Sequence, residues 1–299
     1  MKLVTYEVDR RRDVGVVSKD ELWVFPLRAF GMEYKEMLEV VKGLSQSEHD
    51  LLEHASGLDP YNSNIVGAAM MKEVKLLAPI RTPEQDIICL GLNYMEHAEE
   101  SARFKKEDFD GTRATAVYFS KRVNQAVSPY GEILSHSDMV DSLDYEAELA
   151  VVIGKEARDV TPDQVKDHIF GYTIINDVSA RNIQNAHKQW YFGKSLDGFT
   201  PMGPCILTAD SISYPPELGI QSSVNGELRQ DSNTGLMIFN IDHIVSELSR
   251  GMTLKAGTII STGTPKGVGM GFEPPKFLAA GDEVECRIDE IGAIKNTVV

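Results

Sequence analysis

From residue 85 to the C-terminus the chain is a succession of short strand-type runs: DIICLGL, AVYFS, GEILS, YEAELAVVIG, FGYTIIND, CILTA, IQSSVNGEL, GTIIST and DEVECRIDEIG. Such closely spaced runs, parted by turn residues, restrict the region to a strand-dominated domain. Asn225-Gly226 in SSVNGELRQ is its strongest hairpin signal, because both residues tolerate the positive φ of a type I′ turn. The clearest helices are NYMEHAEE, SARNIQNAHKQW and IDHIVSELSR, the last with Gly251 as its stop. The polar, aperiodic stretch 101–116, SARFKKEDFDGTRATA, has the composition of a mobile loop.

Residues 1–75 differ in texture. Three alternating runs, LVTYEV, VGVVS and ELWVF, precede two amphipathic helical segments. The first, EYKEMLEVVKGL, closes near Gly43; the second, SQSEHDLLEHASGL, starts at a serine N-cap. They predict a small N-terminal α/β domain. The two prolines of LLAPIRTPEQD then place a boundary near residues 76–84, with the second domain over 85–299.

Charge narrows the choice of partner. With 45 acidic against 30 basic residues the net charge is -15, and the basic clusters Arg10-Arg11-Arg12 and Lys105-Lys106 are short, so nucleic acid is not expected. Cys89, Cys205 and Cys286 stand singly and read as reduced core residues of a cytosolic protein. The apolar part of MKLVTYEVDRRR is too short for a signal peptide, and no run approaches the roughly 18 apolar residues of a membrane span. A soluble, cytoplasmic protein is the expectation.

In DYEAELAVVIG, strand alternation sends Glu146 and Glu148 to the same face, about 7 Å apart. The β-branched Val151, Val152 and Ile153 favour that strand over a helix, in which the pair would diverge by about 200°. Two buried carboxylates need a cation or a proton to relieve them. Oxygen-only ligands suit Mg²⁺, Mn²⁺ or Ca²⁺. The same pair also fits the wet face of an amphipathic strand. Asp177, ending FGYTIIND, equally fits an N-cap of the helix SARNIQ.

Three further signals are open in the same way. His97 and Glu100 in NYMEHAEE stand three apart, neighbours on a helix that can share a hydrogen bond and form a base, or else plain surface residues. Lys194 in GKSLDGF reads by default as a turn lysine. STGTPKGVG does not satisfy the phosphate-loop pattern, because Lys266 precedes its glycine and no Ser or Thr follows in place.

The blocks LGLNYMEHAEE, DYEAELAVVIGK, GYTIINDVSARNIQ, GKSLDGFTPMGP, VNGELRQ and GMTLKAGTIISTGTPKGVG, in that order, resemble the fumarylacetoacetate hydrolase superfamily over about residues 85–290. The resemblance implies an α+β fold: a mixed β-roll or sandwich core with peripheral helices, usually in a homodimer. It implies that Glu146, Glu148 and Asp177 hold Mg²⁺ or Mn²⁺, with Ca²⁺ as a substitute, and that His97 and Glu100 form a dyad that activates water and orders on substrate binding. By the same resemblance Lys194 stands beside the metal, Arg181 and Gln184 contact substrate, and Thr264 touches a substrate carboxylate. The chain departs from relatives at Leu92, where several carry Arg or Lys, and after Gln184, where NAHKQW replaces aromatic residues.

A small oxo-acid substrate follows from the resemblance. The first expectation is hydrolysis of a C–C bond in an acylpyruvate, with His97 and Glu100 directing water and Lys194 stabilising a pyruvate enolate. Oxaloacetate decarboxylation reaches the same enolate without water. Isomerisation of an oxo-acid, including hydroxymuconate-type acids, would use the dyad only to move a proton, and a non-catalytic metal- or ligand-binding protein would use none of it.

Overall fold

A computed structural model describes every residue except Arg113, together with all side chains but that of Tyr61. In chain order the first strands are β1 (Lys2–Val8), β2 (Arg11–Val17), β3 (Trp23–Pro26), β4 (Ala69–Met70), β5 (Lys75–Leu77), β6 (Ile87–Gly91), β7 (Val117–Lys121), β8 (Glu132–Ile133) and β9 (Leu143–Asp144). They continue as β10 (Ala147–Ile153), β11 (Ile169–Asn176), β12 (Ser179–Ala180), β13 (Met202–Thr208), β14 (Gly219–Val224), β15 (Glu227–Asn233), β16 (Ile259–Ser261), β17 (Glu283–Ile288) and β18 (Gly292–Val298). The α-helices are α1 (Met37–Gly43), α2 (Gln46–Ser56), α3 (Pro60–Ser63), α4 (Met95–Lys105), α5 (Arg181–Ala186), α6 (Tyr191–Lys194) and α7 (Ile241–Gly251).

Among the described residues the strands form three sheets. The largest runs β4-β3-β2-β1-β13-β11-β10-β16-β6-β7, with β5 also paired to β1. A second runs β15-β14-β17-β18-β8, and β9 pairs with β12 alone. The expected α+β class holds, with a strand-rich core and peripheral helices. Because β1 lies antiparallel to β13, the strands of residues 1–75 extend the main sheet.

Strand β10, AELAVVI, is buried at every position, as a central strand covered on both faces must be. Alternation divides its side chains. Leu149, Val151 and Ile153 join Ile220, Val284, Cys286 and Ile294 of the second sheet in one apolar cluster. Ala150 and Val152 face the opposite cluster, with Val40 and Val41 of α1 and Leu52 of α2. All three cysteines are free and buried, in keeping with the core role read from their isolation. No helix among the described residues is long and apolar enough to cross a membrane.

Local signals mostly match. Asn225 and Gly226 take φ of 51° and 81° between β14 and β15, the turn their sequence demands. Ser45 caps α2, accepting from Glu48 N while the Glu48 carboxylate accepts from Ser45 N. Three expectations change. The segment SARNIQNAHKQW is two short helices, α5 and α6, parted at 187–190 where Lys188 has φ 59°. Residues 101–105 of the expected loop continue α4, which Lys106 ends in the left-handed region at φ 57°; Arg113 of that stretch lies outside the described residues. Gly251 is the last residue of α7 and not a left-handed stop, since the capping residue is the extended Met252. Strand β18 had no forecast, because GAIKNTV carries polar residues among its apolar ones and lacks a clean period.

Candidate active site

The antiparallel register of β10 and β11 sets Ala147 opposite Asn176, so the residues just beyond, Glu146 and Asp177, meet at the strand ends. Asp177 N donates to Glu146 O at 2.8 Å, and Glu146 N to Asn176 Oδ1 at 2.9 Å. One carboxylate oxygen from each of Glu146, Glu148 and Asp177 lies within 4.8 Å of the others, and all three residues are buried. Burial removes the wet-face reading of the glutamates. The cap reading of Asp177 fails as well, because α5 starts after Ala180 with no side-chain cap.

Two of the three carboxylates are already matched to cations. Lys194 Nζ stands 2.8 Å from Glu146 Oε2 and 2.7 Å from Asp177 Oδ2, while Arg181 Nη2 lies 2.7 Å from Glu146 Oε1. Glu148 is different: its Oε2 accepts from Ser261 Oγ at 2.5 Å and Gly263 N at 3.0 Å, and no ion pair to it occurs among the described residues. Burial, then Asp177 and Glu146, push the Glu148 carboxyl well above its ordinary pKa. Burial would do the same to Glu146, but Lys194 and Arg181 hold it below the usual carboxylate range. Burial opposes the charge of Lys194, yet Asp177 and Glu146 overcome it and keep that ammonium above the usual lysine range. Three convergent oxygen donors, one of them a buried carboxylate without a counter-ion, fit a hard divalent cation.

Two members of this network escaped the sequence reading. Lys121, at the end of β7, is fully buried and reaches Asp177 Oδ1 at 2.5 Å and Val178 O at 3.0 Å. Burial lowers its pKa, with Asp177 acting against that effect. Asp144 receives Arg181 Nε at 2.9 Å and the amides of Gly269 and Met270 at 2.6 and 3.1 Å, which aims the guanidinium at Glu146. A signal existed for each: a lysine closing an apolar strand, and a period of two that extends from Glu148 and Glu146 back to Asp144.

His97 and Glu100, one turn apart on α4, are both buried, with Nδ1 3.1 Å from Glu100 Oε2. The glycine-rich loop STGTPKGVG spends its amides on these carboxylates: Gly263 N on Glu148, and Gly267 N on Glu100 at 3.1 Å. Lys266 pairs with Glu96 at 2.6 Å and ties the loop to α4. Thr264 Oγ1 donates to Ala147 O and accepts from Gln230 Nε2. Of the residues singled out from sequence, His97, Glu146, Arg181, Gln184, Lys194 and Thr264 line one cleft. Glu148 and Asp177 join it through the carboxylate cluster, and Glu100 through His97.

Gly271 leaves room for the His97 partner. A Cβ there would fall 1.7 Å from Glu100 Oε1 and 2.0 Å from its Cδ. Gly271→Ala should therefore displace a movable side chain at small cost in stability, while catalysis drops on the order of tenfold or more as the imidazole loses its orienting carboxylate. Parallel melting and steady-state measurements check this; an unfolded variant, or one with unaltered kcat, would contradict it.

Comparison with known proteins gives a consistent result. Residues 86–299 match the family model described as Fumarylacetoacetate (FAA) hydrolase C-terminal. An oxaloacetate tautomerase of Bacillus subtilis, YisK, is 41% identical over 307 aligned positions, covering 100% of both chains. A mitochondrial oxaloacetate tautomerase of Xenopus laevis is 42% identical over 259 positions, covering 86% of this chain and 77% of its own. Among solved structures, the fumarylacetoacetate hydrolase from psychrophilic Exiguobacterium antarcticum superposes with a TM-score of 0.84 at 38% identity, covering 100% of this chain and 99% of the other.

Proposed function

Because the chain belongs to the fumarylacetoacetate hydrolase family, we propose that it is a metal-dependent enzyme that interconverts the keto and enol forms of a small 2-oxo acid of the oxaloacetate type. The observation that carries this reading is the buried His97–Glu100 pair opening on the same cleft as Lys194 and the carboxylate cluster. Relatives named for oxaloacetate tautomerisation favour proton transfer over the C–C hydrolysis expected first from the sequence.

In this reading His97 takes a proton from C3 of the keto acid. Glu100, held by the Gly267 amide, steadies the imidazolium that results. The electron pair of the broken C3–H bond forms the C2=C3 double bond as the carbonyl π pair moves onto the 2-oxo oxygen, and His97 returns its proton there to complete the enol, so no atom is gained or lost. Lys194, buried and kept charged by Glu146 and Asp177, faces the negative charge as it develops. Arg181 and Gln184, bonded to each other at 3.1 Å, orient the acid in the cleft. A divalent cation held by Glu146, Glu148 and Asp177 would supply electrophilic stabilisation of that charge.

The test starts from enol oxaloacetate in Mg²⁺ or Mn²⁺ buffer, following decay of its ultraviolet absorbance with and without chelator while pyruvate is assayed in the same samples. The expected result is a chelator-sensitive acceleration of ketonisation without matching pyruvate. Pyruvate appearing at the rate of enol loss would instead favour decarboxylation, and acylpyruvate cleavage by the same preparation would favour hydrolysis.

A further inference from the structure

We propose that Gln230, acting with Thr264, is a positioning residue that fixes the strand bearing Glu146 and Glu148 against the loop that holds Glu100, so that cation binding and proton transfer share one frame. The proposal rests on the reading of the carboxylate cluster as a cation site and names what sets its geometry.

Strand β10 lacks a neighbour on one side where its carboxylates begin. It pairs with β11 along its whole length, but β16 meets only Ala150, Val151 and Val152 on the other side. Thr262 carries that ladder one step further, its amide and its hydroxyl donating to Leu149 O at 3.0 and 2.8 Å. At Ala147, the residue between Glu146 and Glu148, two side chains stand where a strand would. Ala147 N donates to Gln230 Oε1 at 3.0 Å, and Ala147 O accepts from Thr264 Oγ1 at 2.9 Å. Gln230 Nε2 closes the ring by donating to Thr264 Oγ1 at 2.7 Å.

The carboxamide has no bond to spare. Its Oε1 also accepts from Ser222 Oγ at 2.8 Å and its Nε2 also donates to Pro265 O at 2.8 Å, which fills both donors and both acceptor positions. A peptide N–H on one side and a carbonyl on the other settle which way the amide faces. Gln230 is fully buried, whereas every other residue of β15 is exposed or half-buried. Fully satisfied buried networks of this kind rigidify a single arrangement.

One side chain thereby reaches both parts of the site. Thr264 and Pro265 lie between Gly263, whose amide holds Glu148, and Gly267, whose amide holds Glu100. The peptide groups of Ala147 govern how Glu146 and Glu148 leave the strand. The single proton of the Thr264 hydroxyl goes to Ala147 O, which leaves none for a substrate carboxylate. That hydroxyl belongs to the frame.

Mn²⁺ binding, followed by the paramagnetic resonance of the free ion, needs no substrate and reads the frame directly. Gln230→Met, close in size but unable to donate, should raise the Mn²⁺ Kd by about tenfold to a hundredfold, the usual cost of losing a group that orients metal ligands. The kcat for ketonisation should fall by a similar factor with KM for the oxo acid nearly unmoved. Thr264→Val should behave alike, and Thr264→Ser should keep near-normal values. The double variant of Gln230→Met and Thr264→Val should be no worse than its worse single, because both groups serve one ring. A folded Gln230→Met with an unaltered Mn²⁺ Kd, additive losses in the double variant, or a Thr264→Val defect lying wholly in KM would overturn the proposal. If Gln230→Met does not fold, Thr264→Val against Thr264→Ser carries the test. A chain whose variants lose Mn²⁺ affinity as stated, but which does not interconvert oxo-acid tautomers, would refute the proposed reaction and leave this assignment intact.

Discussion

In chelator, Glu148→Gln is expected to melt above the unaltered chain; in Mg²⁺ or Mn²⁺ it is expected to lose turnover by about a thousandfold, or about 4 kcal/mol of transition-state stabilisation. The opposite signs have one origin. Glu148 is a buried carboxylate beside Glu146 and Asp177 that receives only the Ser261 hydroxyl and the Gly263 amide, donors a glutamine oxygen also satisfies. Without a metal its charge is a liability; with one it would serve as a ligand. Burial and the two neighbouring carboxylates raise its pKa, so the metal-free chain takes up a proton there on folding. Stability from that proton is complete below the ordinary glutamate value and declines as pH rises through the raised one. Glutamine does not titrate, and the melting gap should widen as pH rises above the ordinary glutamate range. For a chain of this size each kcal/mol relieved is worth roughly 2–4 °C. A lower melting temperature for Glu148→Gln in chelator, or turnover surviving with metal, would remove Glu148 from the cation site.

His97→Ala should lower the rate of keto–enol interconversion by about two to four orders of magnitude, the range for loss of a positioned acid–base group. Its Mg²⁺ affinity should stay close to normal, because the ring bonds to Glu100 and not to the three carboxylates. Added imidazole should recover part of the rate. Glu100→Gln should be milder, about tenfold, since the ring remains and only its orienting charge is lost. The variant also separates the competing chemistries. Full interconversion by His97→Ala, with C–C cleavage lost, would mean that the imidazole directs water and another group carries the proton; decarboxylation spared in the variant would mark that reaction as independent of the pair.

Much of this site was legible because its residues lie where simple periods hold. Strand alternation put Glu146 and Glu148 on one face, and a three-residue helical spacing joined His97 to Glu100. What alternation could not tell was whether that face was wet. Depth depends on the covering layers, and the partner strand β11 is joined to β10 through residues 154–168, beyond any local pattern. Lys121 was missed for a related reason: a lysine at the end of AVYFS reads as a solvated terminus until Asp177, 56 residues away, is known to face it. The break between α5 and α6 was hidden because QNAHKQW has good helix formers and the left-handed turn falls on Lys188, not on a glycine. Strand β18 pairs in parallel with β8 across the chain, a partnership its own composition does not advertise.

The loop from Gly263 to Gly267 holds Glu148 by one amide and Glu100 by another, four residues apart. It therefore acts as a spacer between two halves that arise on different elements, a strand and a helix. Inserting a single residue there would leave every ionisable group in the sequence and still put the halves out of register by a peptide length, about 3.8 Å. Lengthening of that loop is a way for such a scaffold to keep its carboxylate cluster and lose the placement of its histidine pair.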